Sequence, residues 1–446
     1  MKRSLLAILV VALLVPAAAA AKTSAPPEVR GAFFANWARY ARGYVVKQIP
    51  ADRLNVLDYA FAFISADGKC TLSDPWSDYQ APTWDGANSV DGVADDPSNP
   101  NQHLFGNFNE LRELKAHHPN LRIEISIGGW TGSTYFSDVA ATRASREAFV
   151  KSCIDMFIKG NLPTGGWPAQ AGGDGVAAGI FDGINVDWEY PGKDPGNGAH
   201  HSPADVANAT ALLREFRRQL GDDYLLTVDI PGGNVNSTGS FELRKIAGIV
   251  DWIDVMAFDY HGGWDALTNF NSPLSYDPLA PAVGGGAIDW TWNTAGSVLY
   301  FLANGVPRDK INLGIPFYGK EYTGVPAAHN GLFQPHTGVL SNDSPTYHDL
   351  VDTGLADAYL VPIGPTAVSG DGSTGVNGFT RYFDLLAGSP WLYNPLLEGG
   401  TFISYVGPRE VAARVALVRA LGLRGAWAWE ISNDDNAGDL VRAMTR

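Results

Sequence analysis

The sequence predicts an α/β protein, a (β/α)8 TIM barrel with a small α+β insertion after strand 7, and three observations carry this. Eight short runs rich in β-branched and aromatic residues recur along the 446 residues. Amphipathic stretches of helical period separate them, and no glycine-rich phosphate loop follows the first run. A doubly wound open sheet is the alternative, but eight strand-helix units close a barrel and the missing loop argues against a nucleotide-binding sheet.

In chain order the expected strands are Val29–Ala35, Val56–Ile64, Leu121–Ile127, Ile180–Trp188, Tyr224–Ile230, Trp252–Phe258, Ile311–Phe317 and Arg424–Trp429. The expected helices are Phe108–Ala116, Arg143–Ile158, Pro203–Leu220, Phe241–Val250, Thr294–Ala303, Pro408–Leu421 and Asn436–Met444. Only the first connection, near Pro50–Asn55, lacks a clear helical pattern. Two connections exceed ordinary loop length. Ser65–Asn107 follows the second strand, and Lys320–Gly407 follows the seventh. The latter carries strand-like runs, Gly378–Phe383 and Thr401–Tyr405, so it is expected to form a wall over the barrel mouth.

Residues 1–21 read as a secretion signal peptide. Lys2 and Arg3 precede the apolar run Leu5–Pro16, and small residues offer cleavage near Ala19–Ala21. The run is shorter than the ~18 apolar residues a membrane span needs. The expected division is then 22–319 for the first part of the catalytic barrel, 320–407 for the insertion subdomain and 408–446 for the last part of the barrel. A secreted monomer follows, with no membrane contact. The net charge of −15 disfavours nucleic acid as a partner and favours a neutral substrate. The 13 Trp, 17 Tyr and 20 Phe suit either a core or a sugar-binding cleft, and only their placement decides. Two cysteines, Cys70 in an expected loop and Cys153 in an expected helix, are too few for a disulfide scaffold, and their pairing is left open.

The stretch Phe181–Pro191 organises the chain. As a strand it sends Ile184, Val186 and Trp188 to one face and Gly183, Asn185, Asp187 and Glu189 to the other. If the apolar face packs on a helix, the acidic row points into the barrel, where carboxylates are costly unless paired or functional. Asp182 has the wrong parity for the interior. A calcium site is the competing use, but strand alternation supplies hard-cation ligands less readily than a loop. No His/Cys cluster suggests a metal. Active sites of barrels lie at the C-terminal ends of strands. There stand Ser126–Trp130, Asp187–Glu189, Met256–Tyr260 and Trp427–Trp429.

Phe-Asp-Gly-Ile-Asn-Val-Asp-Trp-Glu at 181–189 resembles the signature of glycoside hydrolase family 18, the chitinases. Ser126–Trp130, Met256–Gly262, Gly314–Gly319 and Gly425–Trp429 resemble its third, sixth, seventh and eighth strand motifs, in the right order. The insertion after strand 7 resembles that of bacterial members. The resemblance implies a secreted retaining chitinase cleaving β-1,4 links between N-acetylglucosamine units, without a cofactor. Its partners would be chitin or chitooligosaccharides. Glu189 would be the acid/base and Asp187 would hold the substrate acetamido group, with Asn185 and Asp259 completing the catalytic set. Sugar binding would fall to Phe61, Gly128, Gly129, Trp130, Thr131, Tyr190, Met256, Ala257, Phe258, Trp264, Tyr318 and Trp429. Trp37 would lie near the non-reducing side, and His261 would be structural. An endo-β-N-acetylglucosaminidase acting on N-glycans, or an inactive chitin-binding lectin, are the alternatives.

The chain departs from the commonest pattern of that family at three places. Asn185 replaces a third aspartate and is expected to donate a hydrogen bond to Asp187, so that Asp187 ionises more readily and the acid limb of activity lies lower than in an Asn185→Asp variant. Phe258 replaces a tyrosine, which leaves Tyr318 or another donor to hold the acetamido carbonyl. Val406-Gly407 replaces a pair of aspartates away from the catalytic centre.

Overall fold

The structure, a computed structural model, describes residues 28–40, 42–234, 239–281, 289–339, 344–356 and 363–446; the expected leader lies outside them. The strands in chain order are β1 (Val29–Ala35), β2 (Val56–Ile64), β3 (Cys70–Leu72), β4 (Arg122–Gly128), β5 (Gly183–Asp187), β6 (Leu225–Pro231), β7 (Trp252–Met256) and β8 (Ile311–Pro316). They continue with β9 (Lys320–Tyr322), β10 (Thr380–Asp384), β11 (Ser389–Asn394), β12 (Thr401–Ser404) and β13 (Gly425–Trp429). Eight of them pair in parallel in the order β1-β13-β8-β7-β6-β5-β4-β2, and β2 pairs with β1 to close the barrel. Helices lie between strands and cover the outside. Ile184 and Val186 on β5, and Trp188 just after it, pack outward, and the Trp188 ring stacks on Phe136 at 5.2 Å.

Some expected boundaries shift for local reasons. β5 begins at Gly183, because Asp182 is occupied at the rim: it accepts from the Ile123 backbone N–H and pairs with Lys115 at 2.7 Å. The helix expected over Arg143–Ile158 is α-helical to Cys153 and widens to a π-turn at Ile154–Ile158. The one expected over Phe241–Val250 shortens to Leu243–Ala247. Cys70 is not in a loop: it opens β3, antiparallel to the end of β2, and is disulfide-bonded to Cys153 with Cα atoms 5.0 Å apart. The bond ties the β2–β3 hairpin to the helix Arg143–Cys153.

After β8 the chain forms a separate four-stranded antiparallel sheet, β10-β11-β12-β9. Two of its strands, Lys320–Tyr322 and Ser389–Asn394, carried no clear signal of their own. The sheet has its own aromatic core of Phe270, Tyr322, Trp391, Tyr393 and Phe402. Because β9 starts four residues after β8 ends, this sheet begins at the barrel mouth.

The barrel interior is polar. Asp58, Glu124, Asn185, Thr227, Asp229, Asp254 and Asn312 are all buried there on six adjacent strands. Asn312 donates to Asp254 at 2.6 Å and the Trp252 indole donates at 3.1 Å. Burial nevertheless outweighs these donors and pushes Asp254 up to about 7. It also raises Asp58 and Glu124 well above the carboxylate range.

A carboxyl whose folded value exceeds its unfolded one stabilises the fold at low pH, and that stability is lost as pH rises through the folded value. For Asp254 the window runs from about 4 when unfolded to about 7 when folded. Asp254→Asn should therefore flatten the fall in melting temperature between these limits, read from thermal melts over that pH range. Cys153→Ser should cost up to ~4 kcal/mol, the chain-entropy value for so long a loop. Urea denaturation of the two proteins measures it, and a parent treated with reductant should match the variant.

Candidate active site

A cavity of about 370 Å³ opens at the C-terminal end of the barrel, lined among others by Trp37, Phe61, Asp187, Glu189, Asp229 and Trp429. Glu189 ends the β5 stretch with its backbone pinned on both sides. Its N–H donates to Ser133 Oγ at 2.9 Å, and its carbonyl accepts from the Asn197 amide at 3.0 Å. Ser133 also donates to the Gly129 carbonyl, so the turn after β4 and the end of β5 are held together. The walls desolvate the Glu189 carboxyl and push it up to about 7, with Asp259 adding to the rise and the Tyr190 hydroxyl opposing it. Asp187 is buried, and burial followed by the Glu189 charge raises it well above the usual range. Asp187 Oδ1 has no hydrogen-bond partner.

Asn185 does not donate to Asp187 as expected. Its Oδ1 accepts from Ser126 Oγ at 2.7 Å and its Nδ2 donates to Thr227 Oγ1 at 3.0 Å. The amide is thus absorbed into the ladder below the cavity and does not line it.

The aromatic wall is built from strand ends. Phe61 stacks on Trp429 with centroids 5.6 Å apart and planes 23° apart, and Trp37 closes a triangle with them, 6.1 Å from Phe61 and 6.4 Å from Trp429. Phe258 meets Trp427 edge-on at 5.6 Å. Trp427 is buried yet forms part of the cavity wall. Trp130, Thr131, Tyr190, Met256, Phe258 and Tyr318 also line the cavity.

Four of the expected sugar-binding residues do not line it. Ala257 is buried with its carbonyl accepting from Ser272, since its side chain has the outward parity of β7. Gly128 and Gly129 act by clearance: a Cβ at Gly128 would lie 2.0 Å from the Asp187 carbonyl oxygen, and one at Gly129 2.7 Å from the Phe61 ring. Both have positive φ, which suits glycine. Trp264 is exposed, with Lys320 Nζ 5.1 Å above its ring.

Asp259 has a φ of 55° and is gripped by its neighbours. Its N–H donates to Asn271, Tyr318 donates to its Oδ2 at 2.8 Å, and Lys320 pairs with Oδ1 at 3.2 Å. The single Tyr318 proton is therefore directed at Asp259. His261 bonds Asp265 at 2.7 Å and is buried outside the cavity.

Sequence reasoning missed Asp229, Lys320 and Trp292. Asp229 had a signal: it shares the interior parity of Thr227 on its strand. Lys320 had none, because its reach to Asp259 depends on how the inserted sheet sits on the barrel.

A carboxyl raised to about 7 beside a second one raised well above the usual range, in an aromatic-walled cleft at the mouth of a barrel, suits proton transfer to a sugar link. The sequence model of Glycosyl hydrolases family 18 matches residues 30–434. The chain belongs to this family. It is 34% identical to Chitinase A1 of Niallia circulans over 91% of this chain and 56% of that protein. Against Chitinase C of Streptomyces lividans the figures are 33%, 94% and 59%. The chain thus spans little more than half the length of these curated relatives. The solved catalytic domain of psychrophilic chitinase B from Arthrobacter TAD20 superposes with a TM-score of 0.77 at 30% identity, covering 93% of this chain and 94% of that one. Like this family 18 chain, that protein is matched along nearly all of its catalytic domain.

The clearance at Gly129 is testable. Gly129→Ala should cost about 1–3 kcal/mol, from positive-φ strain and displacement of Phe61. It should also change the fluorescence of the tryptophans beside Phe61. Thermal melts and emission spectra of the folded variant report both effects.

Proposed function

We propose that this chain is a retaining chitinase that cleaves β-1,4 links between N-acetylglucosamine units by substrate-assisted catalysis. The observation that carries the reading is that Asp187 and Glu189 line one cavity with stacked Phe61 and Trp429, with Glu189 raised to about 7. The chitinases similar to this chain agree with the substrate class.

In this mechanism a sugar ring lies on Trp429, whose flat apolar face matches the pyranose. Glu189, protonated, gives its proton to the glycosidic oxygen as the link breaks. The acetamido carbonyl oxygen of the same sugar attacks the anomeric carbon, so an oxazolinium forms without an enzymic nucleophile. Asp187, turned toward Glu189, accepts the acetamido N–H and offsets the developing positive charge. Tyr318 transfers its hydrogen bond from Asp259 to the acetamido carbonyl oxygen while Lys320 keeps hold of Asp259. Glu189, now a carboxylate, removes a proton from water as that water attacks the anomeric carbon. The sugar freed from the oxazolinium therefore retains the β configuration.

Protein lacking residues 1–21, as expected of the secreted form, tests this with a chitin oligosaccharide. The parent should release β-anomeric products, and Glu189→Gln should lower turnover by about 10²–10⁴-fold, the usual contribution of a general acid. Binding without cleavage by both proteins would make the chain a lectin instead. Because the acid form of Glu189 is required, kcat should fall as pH rises through about 7, the value to which burial raises it. A pH profile whose alkaline limb coincides with that of an exposed carboxylate would contradict the assignment.

A further inference from the structure

Asp187 presents a difficulty that the mechanism leaves open. It must act as a carboxylate toward the substrate N–H, yet burial and Glu189 raise it well above the usual range. A group in that position keeps a proton unless a neighbour takes it. Asn185 offers no such neighbour, because its amide is committed to Ser126 and Thr227.

The neighbouring strand does. β5 and β6 run in parallel with Asn185 beside Thr227 and Val186 beside Val228, so the next rung sets Asp187 beside Asp229. The Asn185 and Thr227 side chains already meet at 3.0 Å inside the barrel. Two residues further along each strand the side chains point the same way. Adjacent strands lie about 4.8 Å apart. Asp187 and Asp229 both line the cavity, both are buried, and neither Asp229 oxygen nor Asp187 Oδ1 has a hydrogen-bond partner of normal geometry. Two unpartnered buried carboxyls side by side are tolerated when one proton lies between them.

The other groups around Asp229 do not fill this role. Asp254, beside it on β7, is already engaged by Asn312 and Trp252. Asp58 reaches it from β2 as a further acidic group, and Glu189 stands above in the cavity. A nearby Asn185 amide pulls weakly against the rise that burial, Asp187, Asp254 and Asp58 impose on Asp229. No cation is among these influences. Asp229 is therefore the carboxyl best placed to remain neutral and donate.

We propose that Asp229 is a positioning residue that shares one proton with Asp187, a role resting on the glycosidase reading above. In the resting site the Asp229 O–H donates to an Asp187 carboxylate oxygen. When Asp187 turns toward Glu189 and the substrate, that hydrogen bond breaks and the proton stays on Asp229. Asp187 then carries the full negative charge that the acetamido group requires. Asn185 thus leaves the proton-sharing to the neighbouring strand.

Asp229→Asn keeps the volume and a donor but cannot share a proton, and its N–H holds the Asp187 carboxylate less strongly than an O–H does. On chitooligosaccharide its kcat should drop about tenfold with KM within about twofold. The acid limb should move up by about one pH unit, while the alkaline limb stays with Glu189. A profile superimposable on the parent's would overturn the inference and leave the glycosidase reading intact. A second measurement is independent of cleavage and of any change at 229. In a Glu189→Gln background, infrared titration of buried carboxyls is compared with and without Asp187→Asn. Removing the like charge should lower one carboxyl midpoint by one unit or more. Unchanged titration of the remaining carboxyls would overturn the proposal, even if the parent proved unable to cleave.

Discussion

Desolvation of carboxyl groups inside a closed barrel is the constraint on which the rest depends. A parallel barrel buries one face of every strand, and here that face carries Asp58, Glu124, Asp187, Asp229 and Asp254 in place of a wholly apolar filling. Ionised together they would be prohibitive in a medium of low dielectric. Burial raises each of them and so favours the neutral form, while Asn312 and Trp252 donate to Asp254 and Thr227 donates to Glu124. The same desolvation brings Glu189 to about 7, where a proton donor is useful near neutral pH. Stability and chemistry thus draw on one physical effect.

The cleft is the second consequence of closure. Strand ends converge at the mouth, so Phe61 from β2, Trp429 from β13 and Trp37 after β1 meet in one aromatic cluster although they are far apart in sequence. Gly129 must lack a side chain for Phe61 to lie there. The inserted sheet then adds a wall by a different route. β9 leaves the barrel directly after Tyr318 and brings Lys320 to Asp259, so the insertion contributes a charge to the site as well as a surface.

Much of this was legible in the residues because it follows from periodicity. Alternation along Phe181–Glu189 gave the inward acidic row, and recurring β-branched runs gave eight strands, two of them with the observed ends. Less was legible where tertiary register decides. Asp229 matters because the β5–β6 ladder sets it beside Asp187, and no local pattern measures that offset. Asn185 reads as a donor to Asp187 when only its own strand is considered, but a side chain from each flanking strand captures it first. Cys70 and Cys153 are joined because a short antiparallel strand folds back onto the barrel, which a loop reading of Cys70 does not contain.

The central claim is that the barrel holds Glu189 as a neutral acid near neutrality. Carbon-13 NMR of glutamate-labelled protein, with the Glu189 resonance assigned by its loss in Glu189→Gln, measures this directly. The account predicts a titration midpoint at about 7. A midpoint in the ordinary glutamate range, about 4.3, would contradict it.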